Sequence, residues 1–183
     1  MMKKILFLLL LLCCYGCSES TTEVNEDTAQ QVYNNLKGTY VGYVLVDNIP
    51  QKMVITIANN LQVRQLPLKP ILERILTDET QLTEALALAN YAELTIPLES
   101  MQLYGSDVLL RMEDTNLQVA VTIEGITYQI NALFSALAYI ETNTDILSLE
   151  MDVTELLCNG QSYDLNNNRI SYYVDIANKQ KEE

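Results

Sequence analysis

The sequence contains no histidine and no tryptophan. Without an imidazole, catalytic triads that depend on histidine and metal sites with histidine ligands are excluded. The lack of tryptophan removes the largest aromatic ring from any surface that stacks on a sugar, which leaves the 11 tyrosines as substitutes. We therefore expect no cofactor and no histidine-dependent chemistry.

Basic residues are scarce as well: 11 lysines and arginines stand against 24 acidic residues, and the net charge is −13. Such a chain repels phosphate backbones, so we predict no nucleic-acid partner. A glycosidase needs only two carboxylates, so acidity leaves a carboxylate-dependent hydrolase open. Glu150 and Asp152 are the most suggestive pair, because side chains two residues apart on a strand share a face about 7 Å apart. The alternation around them also explains both as solvent-facing polar residues.

Cysteine is rare, and three of the four cysteines fall within the first 17 residues. In this segment two lysines precede the apolar run ILFLLLLL at 5–12, which is shorter than the ~20 residues needed to cross a bilayer. Cys14-Tyr15-Gly16-Cys17 follows the run. The order of charge, apolar run and small residue predicts a cleavable export signal over residues 1–16. The final motif resembles the lipobox of bacterial lipoproteins, which implies that Cys17 is acylated, with palmitate among the chains, and anchors the chain to a membrane.

Once the signal and the lipid site are set aside, Cys158 is the one remaining cysteine. The sequence therefore predicts no intrachain disulfide and a passive thiol. Residues 17–27 are polar and acidic, which predicts a flexible tether. Within it, Ser18-Glu19-Ser20 resembles the signal that sends Bacteroidota lipoproteins to the outer face of the outer membrane. This resemblance implies display at the cell surface, with a periplasmic location as the alternative.

Residues 28–178 have the periodicity of a single β-rich domain, followed by a charged tail at 179–183. A short helix ends near Leu36, and strand-like runs then flank the turn signals Asp47-Asn48 and Asn159-Gly160. Helical spacing interrupts the strands between residues 68 and 91, where Asp78 and Gln81 have the spacing of a capping box. Short strands are predicted to resume after Pro97. We predict a mainly β fold, either an antiparallel β-sandwich or a calycin-like barrel, with an N-terminal helix and a short helical insertion.

Two resemblances bear on this prediction. Gly38-Thr39-Tyr40 looks like the G-x-W entry to the first strand of calycin barrels, with tyrosine in place of tryptophan. The runs LKGTYVGYVLV, PLKPI and ELLCNGQSYDL resemble, in this order, an uncharacterised family of Bacteroidota lipoproteins known as a domain of unknown function. The second resemblance implies export and a single domain, and it carries over no catalytic or binding residue.

Two groups of residues are candidate sites. Asp164, Asn166, Asn168 and Asp175 have the spacing of a calcium loop, although Arg169 stands where such a loop needs glycine. An exposed turn is the alternative interpretation of the segment. Tyr40, Tyr43, Tyr172 and Tyr173 are the candidate aromatic platforms for a ligand, with packing in the sheet as their alternative role.

These observations favour a membrane-anchored, non-enzymatic binding module for a glycan, a protein or a small apolar ligand. A carboxylate-dependent hydrolase is one alternative, and it requires two acids that converge in a cleft. A structural subunit of a surface assembly is another, and it requires an exposed edge strand.

Overall fold

A computed structural model describes residues 26–165 and 169–181. The chain contacts divide the protein after Asn35 into an N-terminal unit and a larger second unit. In the first unit residues 26–35 are described, and they belong to helix α1, Glu26–Leu36, where the Gln30 amide donates to Asn34 Oδ1 at 3.3 Å. The predicted export signal, Cys17 and most of the predicted tether lie outside the described residues.

The second unit is mainly β. Its strands are β1 Gly38–Val46, β2 Ile49–Ile57, β3 Asn60–Pro67, β4 Tyr91–Tyr104, β5 Asp107–Met112, β6 Thr115–Ile123, β7 Ile126–Glu141, β8 Ile146–Cys158, β9 Gln161–Ser162 and β10 Ile170–Lys179. All strand pairs among the described residues are antiparallel, and β1 pairs with β10. Because β7 also pairs with β8, the strands β1, β2, β3, β4, β5, β7, β8 and β10 form a closed eight-stranded barrel. The barrel alternative of the predicted fold class is confirmed.

Tight turns join most neighbouring strands. Asp47 and Asn48 have φ values of 53° and 63°, so the turn between β1 and β2 places both central residues in the left-handed region. Asn159 and Gly160 repeat this conformation with φ values of 49° and 79°. Asparagine, aspartate and glycine tolerate these angles, which is why the sequence identifies both hairpins.

The helical insertion lies between β3 and β4. It consists of α2, Lys69–Ile75, and α3, Glu79–Leu88. The Asp78 carboxylate accepts from the backbone N–H groups of Thr80 and Gln81 at 2.9 and 3.0 Å, which caps α3 as the sequence predicts. Both helices lie within the predicted range of 68 to 91.

The structure corrects the prediction that the later strands begin only after Pro97. Strand β4 starts at Tyr91 and continues through this proline. Pro97 is tolerated because β4 changes partner there: its first half pairs with β3 and its second half with β5. The Pro97 carbonyl then accepts from the Glu113 N–H at 3.0 Å. Two short strands, β5 and β6, pair in succession along one edge of the longer β7.

Apolar side chains fill the barrel interior. The largest fully buried ones are Tyr40, Tyr172, Phe134 and Met53. The rings of Phe134 and Tyr172 lie 5.9 Å apart between centroids at a tilt of 43°. An eight-stranded barrel is wide enough to be filled by its own side chains or to hold one small ligand, and here large rings lie in that space.

Few positions are paired where the barrel closes between β1 and β10. Strand β1 pairs with β2 at nine positions, from Gly38 to Val46. With β10 it pairs at Tyr40–Lys179 and Val41–Asn178. No further paired position joins these two strands, both of which are described in full. We refer to this junction as the seam. Strand β10 includes Lys179, the first residue of the predicted tail.

Candidate functional site

A shallow groove lies on the outer face of the barrel across β7, β8 and β10. Its volume is about 230 Å³, and its lining includes Leu137 and Tyr139 from β7, Ser148 and Glu150 from β8, and Tyr173 from β10. Strand register brings these residues together: Glu150 pairs with Leu137 on one side and with Tyr173 on the other. Tyr139 pairs with Ser148 in the adjoining row. We refer to this site as the outer groove.

Two tyrosine rings flank the groove and remain accessible. Tyr139 is 36% exposed and Tyr173 is 56% exposed. The Tyr139 hydroxyl donates to Asp107 Oδ2 at 2.5 Å, and the Tyr173 hydroxyl donates to Asp175 Oδ1 at 3.1 Å. These hydrogen bonds, together with the nearby negative charge, raise the pKa of both phenols, which stay neutral at physiological pH. The rings are thereby held in one orientation with a face available for stacking.

Polar acceptors lie between the rings. Glu150 is exposed at the centre of the groove and carries two carboxylate oxygens. The Ser148 hydroxyl donates to the Asp175 carbonyl at 2.5 Å, so its lone pairs can accept from a ligand. An arrangement of aromatic faces with carboxylate and hydroxyl acceptors suits a ligand that has both apolar faces and hydroxyl donors.

The four tyrosines singled out from the sequence separate into two pairs. Tyr40 and Tyr172 point inward, are fully buried, and donate to the backbone carbonyls of Leu36 and Pro67, each at 2.9 Å. They offer no surface to a ligand. Tyr43 and Tyr173 point outward, with exposed fractions of 58% and 56%, and Tyr173 alone of the four lines the groove.

Sequence reasoning missed Tyr139, the second ring of the groove. A signal was available, because inward residues alternate along β7 at Phe134, Ala136, Ala138 and Ile140. That pattern places position 139 on the outer face of β7. The pairing of Tyr139 with Ser148, by contrast, depends on the register of the strands, which no local sequence signal reveals.

The acidic pair Glu150 and Asp152 does project from one face of β8, as predicted. The two carboxylates have different surroundings: Glu150 is exposed in the groove, whereas Asp152 accepts from Ser171 Oγ at 2.5 Å and forms a 2.9 Å ion pair with Arg169. A general acid needs shielding that keeps its proton near neutral pH. The exposed position of Glu150 and the cation at Asp152 do not provide that shielding.

The predicted calcium loop is only partly described, because Asn166 and Asn168 lie outside the described residues. Asp164 is exposed, and Asp175 lies in β10 with one carboxylate oxygen bonded to Tyr173. Within residues 26–165 and 169–181, no group of three or more cysteine, aspartate or glutamate side chains is arranged to hold a metal ion.

Cys158 ends β8 and is 4% exposed. Burial raises the pKa of its thiol. The thiolate is the reactive form, so this environment opposes both nucleophilic and metal-binding chemistry.

Comparison of the chain with protein-family models, with curated proteins and with solved structures gives no significant match. In the described part of the chain, no helix has the length and apolar character required to span a bilayer.

Proposed function

We propose that the chain is the precursor of a membrane-anchored lipoprotein whose barrel is a non-enzymatic module that binds glycans in the outer groove. The observation that carries this proposal is the pair of oriented, exposed rings of Tyr139 and Tyr173 on either side of Glu150. Sugar C–H faces stack on such rings, and sugar hydroxyls donate to carboxylates.

Among the three ligand classes that the sequence leaves open, the groove favours a glycan. A small apolar ligand would need an interior cavity, but Tyr40, Tyr172 and Phe134 fill the barrel with side chains. A protein partner would be favoured by a broad apolar patch, whereas the groove has a carboxylate at its centre.

The glycan proposal is tested by screening the full-length protein in detergent against arrayed neutral mono- and oligosaccharides. Affinity for the best ligand is then measured by calorimetry. We expect Tyr173→Ala and Tyr139→Ala each to weaken binding at least about tenfold, equivalent to ~1.4 kcal/mol. Tyr91→Ala is the matched control, because Tyr91 is 44% exposed on β4 and its hydroxyl is likewise held, by Gln51 at 2.8 Å. An equal loss in the control, or no bound sugar, would count against the proposal.

The anchor is proposed from the lipobox resemblance, with the outer membrane and its outer face as the destination. Cells fed labelled palmitate should incorporate label into the wild-type protein and not into Cys17→Ser. The variant should also leave the membrane fraction, because a bacterial lipoprotein is held by several acyl chains and loses them together. A secreted product that retains residues upstream of position 17 would overturn this part of the proposal.

The hydrolase alternative has its own test. If the protein shows hydrolytic activity and the double change Glu150→Gln, Asp152→Asn removes it, the module is an enzyme. A glycan-binding module keeps its fold and shows no turnover in either form. Measured sugar release by wild type and double variant separates the two classes.

A second candidate function, a subunit of a surface assembly, is favoured by the edge strand β6. Its sequence TNLQVAVTI has no charge and no proline, and among the described strands it pairs with β7 alone. Edge strands of soluble proteins usually carry such protective residues. An added strand would slow amide hydrogen exchange in β6, and the exposed-face changes Gln118→Lys and Ala120→Lys should reverse that protection. Unchanged exchange in the cell-derived complex would exclude strand addition.

A further inference from the structure

The outer groove carries one formal charge, and that charge is negative. The described residues that line it are two leucines, two tyrosines, one serine and one glutamate: Leu137, Leu149, Tyr139, Tyr173, Ser148 and Glu150. Glu150 is the only one of the six with a charged side chain. A ligand in the groove therefore meets an anion and no cation.

The Glu150 carboxylate is not neutralised by the protein. Within residues 26–165 and 169–181 it forms no ion pair and no side-chain hydrogen bond. Asp152, two residues further along the same face of β8, accepts from Ser171 and pairs with Arg169 at 2.9 Å. The chain thus pairs one acid of this face with a cation and leaves the other open.

Both tyrosine rings of the groove are also bonded to carboxylates. The Tyr139 hydroxyl donates to Asp107, and the Tyr173 hydroxyl donates to Asp175. The hydrogen bond to Asp175, with the charge of Glu150 in addition, raises the pKa of Tyr173, so the Glu150 carboxylate lies close enough to act on this phenol. The face of a tyrosine ring attracts cations, and a carboxylate at the hydroxyl increases the electron density of the ring.

The paired strands bring one cation toward Glu150, and it lies two strands away. Glu150 pairs with Leu137, which in turn pairs with Arg111 of β5. At the usual spacing of neighbouring strands, Arg111 and Glu150 are about 10 Å apart between Cα atoms. No ion pair joins them in the described part of the chain. The negative charge of the groove is therefore available to a ligand.

We propose that the outer groove selects sugars that carry a protonated amino group, with the ammonium held by Glu150 and the sugar ring stacked on Tyr139 and Tyr173. This inference rests on the glycan-binding function proposed above, and it names the ligand class as an amino sugar.

Desolvation of the carboxylate determines the preferred class of sugar. A ligand that covers Glu150 takes its charge out of water, which is costly unless a partner compensates it. The hydroxyl of a neutral sugar compensates in part, whereas an ammonium forms charge-assisted hydrogen bonds and is attracted by the ring faces as well. A uronate would bring two like charges together. The expected order of affinity is amino sugar, then neutral sugar, then sugar acid.

This order is measured by calorimetric titration of the full-length protein in a non-ionic detergent at pH 6, where a sugar amine is protonated. The ligands are the methyl β-glycosides of glucosamine, N-acetylglucosamine, glucose and glucuronate, and the same four in the galacto configuration. We expect an amino glycoside to bind at least about tenfold more tightly than its N-acetylated and neutral counterparts. Acetylation removes the charge and keeps the sugar ring, so this comparison isolates the ammonium.

A charge-removing variant connects the preference to the groove. Glu150→Gln keeps the size of the side chain, and it should weaken binding of the amino glycoside at least about tenfold more than binding of the neutral one. Glu155→Gln is the matched control, because Glu155 is exposed on the same strand, does not line the groove, and carries the same charge. An equal loss of preference in the control, or an unchanged preference in Glu150→Gln, would overturn the inference.

The remaining outcomes separate this inference from the proposed function. If neutral glycosides bind as tightly as the amines, or if the sugar array yields a ligand while no amino glycoside binds, the selection for an amine is wrong and glycan binding stands. If no sugar of any class binds, both fail. Nα-acetyl-lysine amide is the last ligand: binding as tight as that of the amino glycoside would show that the sugar ring contributes nothing, which contradicts an amino-sugar site.

Discussion

The hydroxyl of Tyr172 donates a 2.9 Å hydrogen bond to the carbonyl of Pro67, a residue 105 positions earlier in the chain. Tyr172 is 1% exposed and lies in β10, whereas Pro67 ends β3 immediately before the helical insertion. The bond therefore links the last strand of the barrel to the point where the chain leaves the sheet for α2. Because Tyr172 lies two residues after Ile170, the bond also fixes the start of β10.

Removing this hydroxyl should destabilise the domain. In Tyr172→Phe the ring still packs on Phe134, but the buried Pro67 carbonyl loses its partner. We expect the free energy of unfolding to fall by about 1–3 kcal/mol, the cost of leaving a buried acceptor unsatisfied. Urea denaturation followed by circular dichroism measures the change.

The adjacent residue provides the control for this variant. Tyr173→Phe removes an exposed hydroxyl that donates to Asp175. The free energy of unfolding should therefore change by less than about 0.5 kcal/mol. Equal effects of the two changes would show that the bond to Pro67 contributes nothing specific.

Local sequence signals predicted most elements of the fold. The turns at Asp47-Asn48 and Asn159-Gly160 and the cap at Asp78 depend on a few adjacent residues, so a single sequence suffices to find them. Closure of the barrel depends on the pairing of β1 with β10, which are far apart in the chain. No local pattern distinguishes that pairing from a sandwich, and the two architectures stayed open for this reason.

The candidate site likewise combines features set by adjacent residues with features set by the pairing of distant strands. Alternation placed Glu150 and Tyr173 on strands, but their proximity to Tyr139 arises from the register of three strands. Sites of this kind follow from long-range geometry and become evident only when the strands are assembled.

A substitution at Gly42 tests how closely β1 and β10 approach each other at the seam. A β-carbon at this position would lie 2.5 Å from Val174 Cγ1, 2.9 Å from Ala177 Cβ and 2.9 Å from the Ile176 carbonyl oxygen. Backbone and side chains would have to shift, so Gly42→Ala should lower the free energy of unfolding by about 1–3 kcal/mol. Thermal and urea denaturation provide the measurement.

Combining the change with Val174→Ala isolates the cause. If the contact with Val174 dominates, Gly42→Ala should cost less in the Val174→Ala background than in the wild type. Strictly additive effects of the two substitutions would assign the cost to the backbone of β10 instead.

Alkaline pH should destabilise the barrel through its buried tyrosines. Burial, assisted by the charge of Asp145, raises the pKa of Tyr40 from 10.0 to about 12, and burial raises the pKa of Tyr172 further. The folded state holds these phenolic protons more tightly than the unfolded chain does, so the stabilisation is complete below pH 10 and is lost as the pH rises toward 12. Urea midpoints measured across that range should fall.

Tyr40→Phe separates this effect from the titration of lysines. The variant loses the bond to Leu36 and is less stable below pH 10, but its stability should fall less steeply between pH 10 and pH 12 than that of the wild type. Parallel pH profiles for the two proteins would show that Tyr40 does not contribute to the alkaline transition.

Cys158 should be inert in the folded protein. Its side chain is 4% exposed at the end of β8, and burial raises the pKa of the thiol, so both access and ionisation oppose attack on a disulfide reagent. With Cys17 acylated and the signal removed, we expect less than one-tenth of the Cys158 thiol to react with a chromogenic aromatic disulfide at pH 8 in the time that the urea-unfolded protein reacts completely. Cys158→Ser, which should not react in either state, identifies the thiol that is titrated. Rapid labelling of the native protein would mean that the β8 end opens in solution, because a thiol buried in the closed barrel cannot be reached by a reagent of that size.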